Sequence, residues 1–417
     1  MFVFEGCVTV GVKDVWKWLF TSFIEERIGK KYDVNSDFFI GIMVSYQDND
    51  NECSCLYSML PDMFSRKLTR CRQQSNQETF SRKGVEQAMK TITPDNFTKH
   101  FPTPPSVPTQ SAVCNNVNLE HKSIFIAGRY NKWSRQLPQT PWIIGGERKM
   151  ESSVQEIISE PLERISKAQG SKFSASGRED VDVRTLGRGR PFSVELLNPK
   201  RVKFSFDTMR SLENEINANG SKKIFVRDLQ VVSRESLINL KMGEEHKTKE
   251  YNAYCIVYGP LPPGLDGLAE KAPITLKQMT PVRVLHRRPV ASRERTINWF
   301  KFKPVKEDPS YFTLAMNTQA GTYIKEFIHG DLGRTTPSLG ELLGGMSVDI
   351  LALDVQVIKS YKLINIIKYI RTNKMLVANN KYFQSSGFVN YEQISRQTAH
   401  QQNFNNINYY YTFLVSI

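Results

Sequence analysis

FSASGREDVDVRTLGRGRPFSVELLNPKR, residues 173–201, groups Glu179, Asp180 and Asp182 with arginines and glycines on both sides. Carboxylates in such a segment are costly to bury unless they are paired or used. Gly187 and Gly189 invite comparison with a phosphate-cradling loop, but no G-K-[ST] follows and that motif is not met. Taken alone, the segment reads first as a surface turn with an Arg–Asp network. Its surroundings alternate strands and helices. IFIAGRY (124–130), FVRDLQVVS (225–233), YNAYCIVYG (251–259) and YFTLAMNTQ (311–319) are rich in β-branched and aromatic residues and predict strands. SSVQEIISEPLERI (152–165) predicts a serine-capped helix with Val154, Ile157, Ile158, Leu162 and Ile165 on one face and a kink at Pro161. Strands and helices do not follow a regular βαβ repeat, so the fold class is α+β, and no internal repeat is visible.

Upstream, residues 1–100 read as a smaller α/β unit, with a helix around Lys13 to Glu26, a strand at Phe38 to Tyr46 and a helix around Arg82 to Thr91. Pro102, Pro104, Pro105 and Pro108 make 101–113 a stiff linker, and 114–363 is then the main domain. Residues 364–417 hold nine Asn and one acid, Glu392, and are expected to be a disordered low-complexity tail with no catalytic residue. The 417 residues are 40% apolar and 11% aromatic, which excludes a wholly disordered chain or a fibre, and the net charge of +14 favours a polyanionic partner. Six cysteines without a C-x-x-C pair point to free thiols in a reducing, intracellular compartment, nucleus or cytoplasm. The C-x-C at Cys53 and Cys55 reads as two ordinary thiols, and no metal site is expected. Lys13 and Asp14 interrupt the apolar N-terminal stretch, which fits neither a signal peptide nor a membrane span.

G-R-x-D followed by V-x-x-L-G resembles the signature turn of pseudouridine synthases, and the resemblance places the catalytic aspartate, as nucleophile, on Asp180. A D-x-x-T-x-G register would place it on Asp182. Asp180 is preferred because the flanking G-R and L-G fall into register together. KTKEYNAY (247–254) resembles the family's K-x-Y-x-A strand, which implies that Tyr251 stacks on the target base. TQAGTYIKEFIHGDLGRT (318–335) resembles its G-T-Y-I-[RK] turn, which implies that Lys325 is the ion-pair partner of the aspartate. With AGRYNKWSRQLPQTPW (127–142) and RVLHRRP (283–289), the chain is similar to the tRNA pseudouridine synthase ten family, which modifies the T-loop at position 54 or 55.

The resemblance implies a catalytic domain with a mixed, largely antiparallel sheet flanked by helices. It also implies a smaller N-terminal domain of the THUMP kind, incomplete here, and a tRNA substrate. Isomerising uridine breaks the N1–C1′ bond and remakes the link through C5, so no redox step occurs and no cofactor is expected. One carboxylate must stay ionised, and a nearby Lys325 would keep it so. The base must leave its stack to be reached; Tyr251 would hold it, Ile324 with Leu351 or Leu353 would wall the pocket, and Tyr323 is a further expected substrate contact. Basic residues cluster in 129–140, 184–203 and 283–303, interleaved with Tyr130, Trp133 and Trp299. Arg129, Arg178, Arg184, Arg287 and Arg288 are the expected RNA contacts. The protein is expected to be a monomer that binds no membrane. The alternative from another class is an RNA-binding or RNA-processing factor that keeps the fold with little or no catalysis.

Overall fold

The structure is a computed structural model that describes residues 12–64, 80–102, 107, 110–237, 248–358 and 411–416. The chain divides into two units, Met1–Lys122 with Ser385–Ile417, and Ser123–Gln384. In the first unit the elements are α1 (Val12–Ile28), β1 (Phe38–Ser45), two short helices, α2 (Asn49–Cys53) and α3 (Cys55–Met59), then α4 (Arg82–Thr91), α5 (Pro94–His100) and β2 (Val113–His121). Ser81 and Thr93 start α4 and α5 by accepting hydrogen bonds from the N–H groups of Gly84 and Asn96, which would otherwise lack partners. Leu56, Met59, Phe64, Phe80, Ala88 and Ile92 form this unit's core.

Two boundaries differ from the sequence expectation. Residues 103–106, 108 and 109 of the proline-rich stretch lie outside the described residues, but Val113–His121 is an antiparallel partner of β1, so the division falls at 122/123 and not at 113/114. At the far end of the chain, Tyr411–Ser416 is not a disordered tail but a strand, antiparallel to β1 from Phe39↔Ser416 to Val44↔Tyr411. An edge strand exposes a row of unpaired N–H and C=O groups, and YTFLVS is a run of β-formers suited to filling it.

In the second unit ten strands form one sheet: β3 (Ile124–Lys132), β6 (Gly170–Ala175), β7 (Arg184–Leu197), β8 (Ile224–Val232), β9 (Lys249–Val257), β10 (Ile274–Met279), β11 (Ser292–Pro304), β12 (Tyr311–Thr318), β13 (Thr335–Thr336) and β14 (Val348–Ile358). A separate hairpin joins β4 (Ile143–Ile144) to β5 (Glu147–Arg148). The sheet order is β13-β10-β11-β12-β9-β14-β7-β3-β8, with β6 added beside β7. Every pairing is antiparallel except β7 with β14. The α+β expectation with a largely antiparallel sheet is therefore met. β7, β11 and β14, long strands in the middle of this order, were not among the strands the composition picked out.

Helices α6 (Val154–Ser166) and α7 (Phe206–Asn219) cover one half of the sheet. Ser153 and Ser205 cap them by accepting from the N–H groups of Glu156 and Thr208. Val154, Ile158 and Leu162, spaced four apart, pack with Met209, Leu212 and Ile216 against Ile126, Val194 and Val226. Pro161 lies inside α6, where its ring removes the N–H that would bond the Ile157 carbonyl. The other half of the sheet packs Ala253, Phe300, Phe312, Leu314 and Leu353 against Ile324, Phe327 and Ile328 of the helix α9 (Ile324–His329), which follows the short helix α8 (Leu265–Ala269) in the chain. A last short helix, α10 (Leu339–Leu342), begins with a reciprocal Ser338–Glu341 capping box.

The two glycines of the R-T-L-G-R-G-R run serve packing. Gly187 and Gly189 have φ of 56° and 76°, and a Cβ on Gly187 would lie 1.9 Å from the Gln356 carbonyl oxygen. No side chain fits there, which lets β7 pair in parallel with β14 at Arg184 and Thr185 before turning to pair with β3.

Candidate active site

Residues 176–183 connect edge strand β6 to β7 and carry Glu179, Asp180 and Asp182. Glu179 turns inward. It is 1% exposed and meets Arg190, 2% exposed, whose Nε lies 2.7 Å from its Oε2 in a contact of charge without hydrogen-bond alignment. Tyr130 donates to both Glu179 oxygens at 2.8 and 3.0 Å, and Gln139 donates to the Tyr130 hydroxyl at 2.8 Å. Burial and the Glu179 charge hold the Tyr130 hydroxyl far above its ordinary range, so it remains a donor.

Asp180 turns the other way, into a cavity of about 290 Å³. Its Oδ2 is 2.8 Å from Arg283 Nη1 and 3.6 Å from Lys325 Nζ. Lys325 itself lies closer to Asp182, at 2.7 and 2.9 Å. The expected Asp180–Lys325 pair is thus a four-membered arrangement, and the partner nearest to Asp180 is Arg283. Arg283 stands in a 3₁₀ turn between β10 and β11, and its Nε donates to Glu326 Oε1 at 2.6 Å. Glu326 is 1% exposed and follows Lys325 in α9, so one helix turn supplies both a cation for the aspartates and the anchor of their second cation.

The backbone entering α9 is fixed as well. Gln278, buried in β10, accepts from the Tyr323 N–H and donates to its carbonyl, each at 2.9 Å.

Nine of the residues given a site role from the sequence line this one cavity: Asp180, Lys325, Tyr251, Tyr323, Ile324, Leu353, Arg178, Arg287 and Arg288. Tyr251 projects from β9, where it pairs with Met316 and Val355, and burial pushes its hydroxyl up to about 12 against a small opposing effect of Arg190. Leu353 and Val355 complete the apolar wall; Leu351 is 52% exposed and does not, because a bulge between Ile350 and Ala352 leaves it without a register partner and takes it out of the alternation that Leu353 and Val355 share. Arg293 and Arg295 also line the cavity.

Two of the expected RNA contacts lie elsewhere. Arg129 is 3% exposed, its Nη1 donating to the Gly189 carbonyl, because β3 runs between β7 and β8 with both faces covered. Arg184 is committed to Asp354, with Nε to Oδ1 at 2.9 Å and Nη2 to Oδ2 at 2.5 Å. Lys132 and Arg190 are also internal, so the basic stretches 129–140 and 184–203 are in part structural, and the cations facing the cavity come chiefly from 283–295. Arg283 and Glu326 were not among the sequence candidates. Arg283 lay inside a basic stretch read only as a phosphate contact, and nothing local marks its pairing with a glutamate 43 residues away.

The carboxyls of Asp182 and Asp354 are both held below the ordinary value of 3.8. Burial alone would raise them, and the hydrogen bonds and charges of Lys325 for Asp182, and of Arg184 and Arg135 for Asp354, outweigh it. Groups lowered on folding add stability that is complete above pH 3.8 and is lost as the pH falls through their lower folded-state values. Stability measured by urea unfolding should therefore decline on acidification through that window. Asp354→Asn should flatten the slope, and an unchanged slope would remove Asp354 from the account.

In the first unit, burial raises the thiols of Cys53, to about 11, and Cys55, which keeps them protonated. Among the described residues no three His, Cys, Asp or Glu side chains are placed to hold a metal, and no helix is long and apolar enough to cross a membrane.

The family model described as "Pus10, C-terminal" matches residues 125–359, and "Eukaryotic Pus10, N-terminal" matches residues 5–119. The tRNA pseudouridine synthase Pus10 of Xenopus laevis is 45% identical over 351 residues, covering 83% of this chain and 65% of that protein. The Homo sapiens protein of the same name is 45% identical over 350 residues, covering 83% and 64%. That of Thermofilum pendens is 37% identical over 247 residues, covering 58% and 53%. The chain spans just under two thirds of the length of the animal relatives. With the two family models placed end to end and the C-terminal one covering the whole cavity, the chain belongs to the Pus10 family.

Proposed function

We propose that the protein is a tRNA pseudouridine synthase that isomerises uridine in the T-loop, at position 54, position 55 or both, with Asp180 as the essential carboxylate. The observation that carries this is the convergence of Asp180, its two cations, Tyr251 and an apolar wall on one cavity, in a family whose relatives bear that name. In the reaction the N1–C1′ bond breaks, the uracil turns, and a C5–C1′ bond forms, while a proton leaves C5 and one is gained at N1. Substrate and product are isomers. Asp180, paired with Arg283 and Lys325, attacks or deprotonates the sugar. Tyr251 stacks on the detached base, and Ile324, Leu353 and Val355 exclude the water that would otherwise leave an abasic site. The test is incubation with an unmodified tRNA transcript followed by mapping of pseudouridine. Product at 54 or 55 supports the proposal; tight tRNA binding without product would favour a non-catalytic RNA-binding factor.

Arg287 and Arg288 are exposed at the cavity rim. As phosphate contacts they should act without regard to base identity. Arg287→Ala and Arg288→Ala are each expected to lower the slope of log affinity against log salt by about 1. Titrations of tRNA at several salt concentrations measure this, and an unaltered slope would place the phosphates elsewhere.

A further inference from the structure

The end of β3 and the turn after it carry two cations, one buried and one partly exposed, that do not line the cavity. Lys132 is fully buried, and its ammonium donates to three carbonyl oxygens: Leu137 at 2.9 Å, Asp180 at 3.2 Å and Val181 at 2.6 Å. Three residues on, Arg135 Nη1 donates to the Asp182 carbonyl at 2.9 Å and the Leu353 carbonyl at 3.0 Å, while its Nη2 meets Asp354 Oδ1 at 2.6 Å. Three consecutive carbonyls of the acidic loop, 180 to 182, each receive a charged donor from this one segment.

We propose that Lys132 and Arg135 are positioning residues of the pseudouridine synthase reaction, a two-cation clamp that holds the backbone of 180–182 and so fixes where the Asp180 carboxylate stands in the cavity. The proposal rests on the enzymatic reading of the site. Residues 178–183 belong to no strand, so their carbonyls have no sheet ladder to satisfy them. Hydrogen bonds from charged donors are short and strong in an interior, where a loop held only by turns would wander. A reacting group misplaced by about 1 Å can lose about a hundredfold in rate. Burying an ammonium is expensive, and an apolar side chain would fill the same space without that cost; what the charge adds is three donors, two of them directed at the acidic loop and the third at the Leu137 carbonyl.

A pH dependence follows from the same geometry. Burial pushes the Lys132 ammonium down to about 8, against the carboxylates of Glu179, Asp182 and Asp180 and with the help of Arg190. Above that pH the amine has two N–H groups for three carbonyls.

The full-length protein and an unmodified tRNA transcript provide the test, with tRNA affinity, kcat and thermal unfolding measured for wild type, Lys132→Met and Arg135→Ala. Lys132→Met is expected to lower kcat by about a hundredfold and Arg135→Ala by about tenfold, each with tRNA affinity near that of wild type. The decline of wild-type kcat on raising the pH through about 8 should be absent in Lys132→Met. Wild-type kcat in either folded variant overturns the clamp. So does a loss confined to tRNA affinity. If Lys132→Met does not fold, Arg135→Ala, at a partly exposed residue, decides. If the wild type makes no pseudouridine, the enzymatic reading fails. The clamp is then judged by amide exchange over 179–183: faster exchange in Arg135→Ala upholds it and unchanged exchange overturns it.

Discussion

Asp180→Asn is expected to lower pseudouridine formation on unmodified tRNA by about 10⁴-fold, the scale on which enzymes lose rate when an essential carboxylate is removed. Asparagine has nearly the shape of aspartate, so the cavity, Tyr251 and the rim arginines stay in place and the loop keeps its carbonyl contacts with Lys132 and Arg135. What disappears is the negative charge facing Arg283 and Lys325. The cavity becomes more positive by one charge, so tRNA affinity should be retained or slightly raised while turnover falls. Asp182→Asn is the informative control. Its side chain is 60% exposed and its main partner is Lys325, so its loss should free that lysine and cost far less. Undiminished product in Asp180→Asn with loss in Asp182→Asn would transfer the central role to Asp182.

Glu179→Ala is expected to destabilise the second unit by about 3–5 kcal/mol, the cost of removing one partner of a buried ion pair. The guanidinium of Arg190 would be left in an interior from which water is excluded, with its Nη1 still bound to the Ser176 carbonyl at 2.6 Å, and the Tyr130 hydroxyl would lose its acceptor. Replacing Glu179 and Arg190 together by methionine should cost less, because no uncompensated charge remains. Urea unfolding of the single and double variants measures both. A single variant as stable as wild type, or a double variant worse than the single, would show that the pair does not carry this energy. Because Glu179 precedes Asp180, the same substitution should also lower turnover, by loosening the loop on which the carboxylate stands.

What could be read without coordinates was whatever depends on near neighbours along the chain. The helix at 154–166 was legible because a serine hydroxyl ahead of it reaches an N–H three residues on, and the strand at 251–259 because its residues are rich in β-branched and aromatic types. The pattern around Asp180, the tyrosine at 251 and the lysine at 325 carried the family likeness, since each sits in a short motif. Charge, by contrast, was misplaced: Arg129, Lys132 and Arg190 counted toward an RNA surface although all three are interior. Side-chain type does not state which face is covered when a strand lies between two others.

By itself the sequence determined the α+β class, three of the helices and several of the strands, and the three motifs that converge; the helix Phe206–Asn219 was not among them. Only the tertiary structure decided which charges meet: Arg283 with Asp180 across 103 residues, Arg283 with Glu326, and Lys325 with Asp182 before Asp180. It likewise assigned Gly187 to strand packing and Tyr411–Ser416 to an edge of β1. The physical reason is one of range. A cap or an amphipathic face is settled within a few residues of the backbone, whereas an ion pair forms wherever strand order and register bring two side chains to the same place.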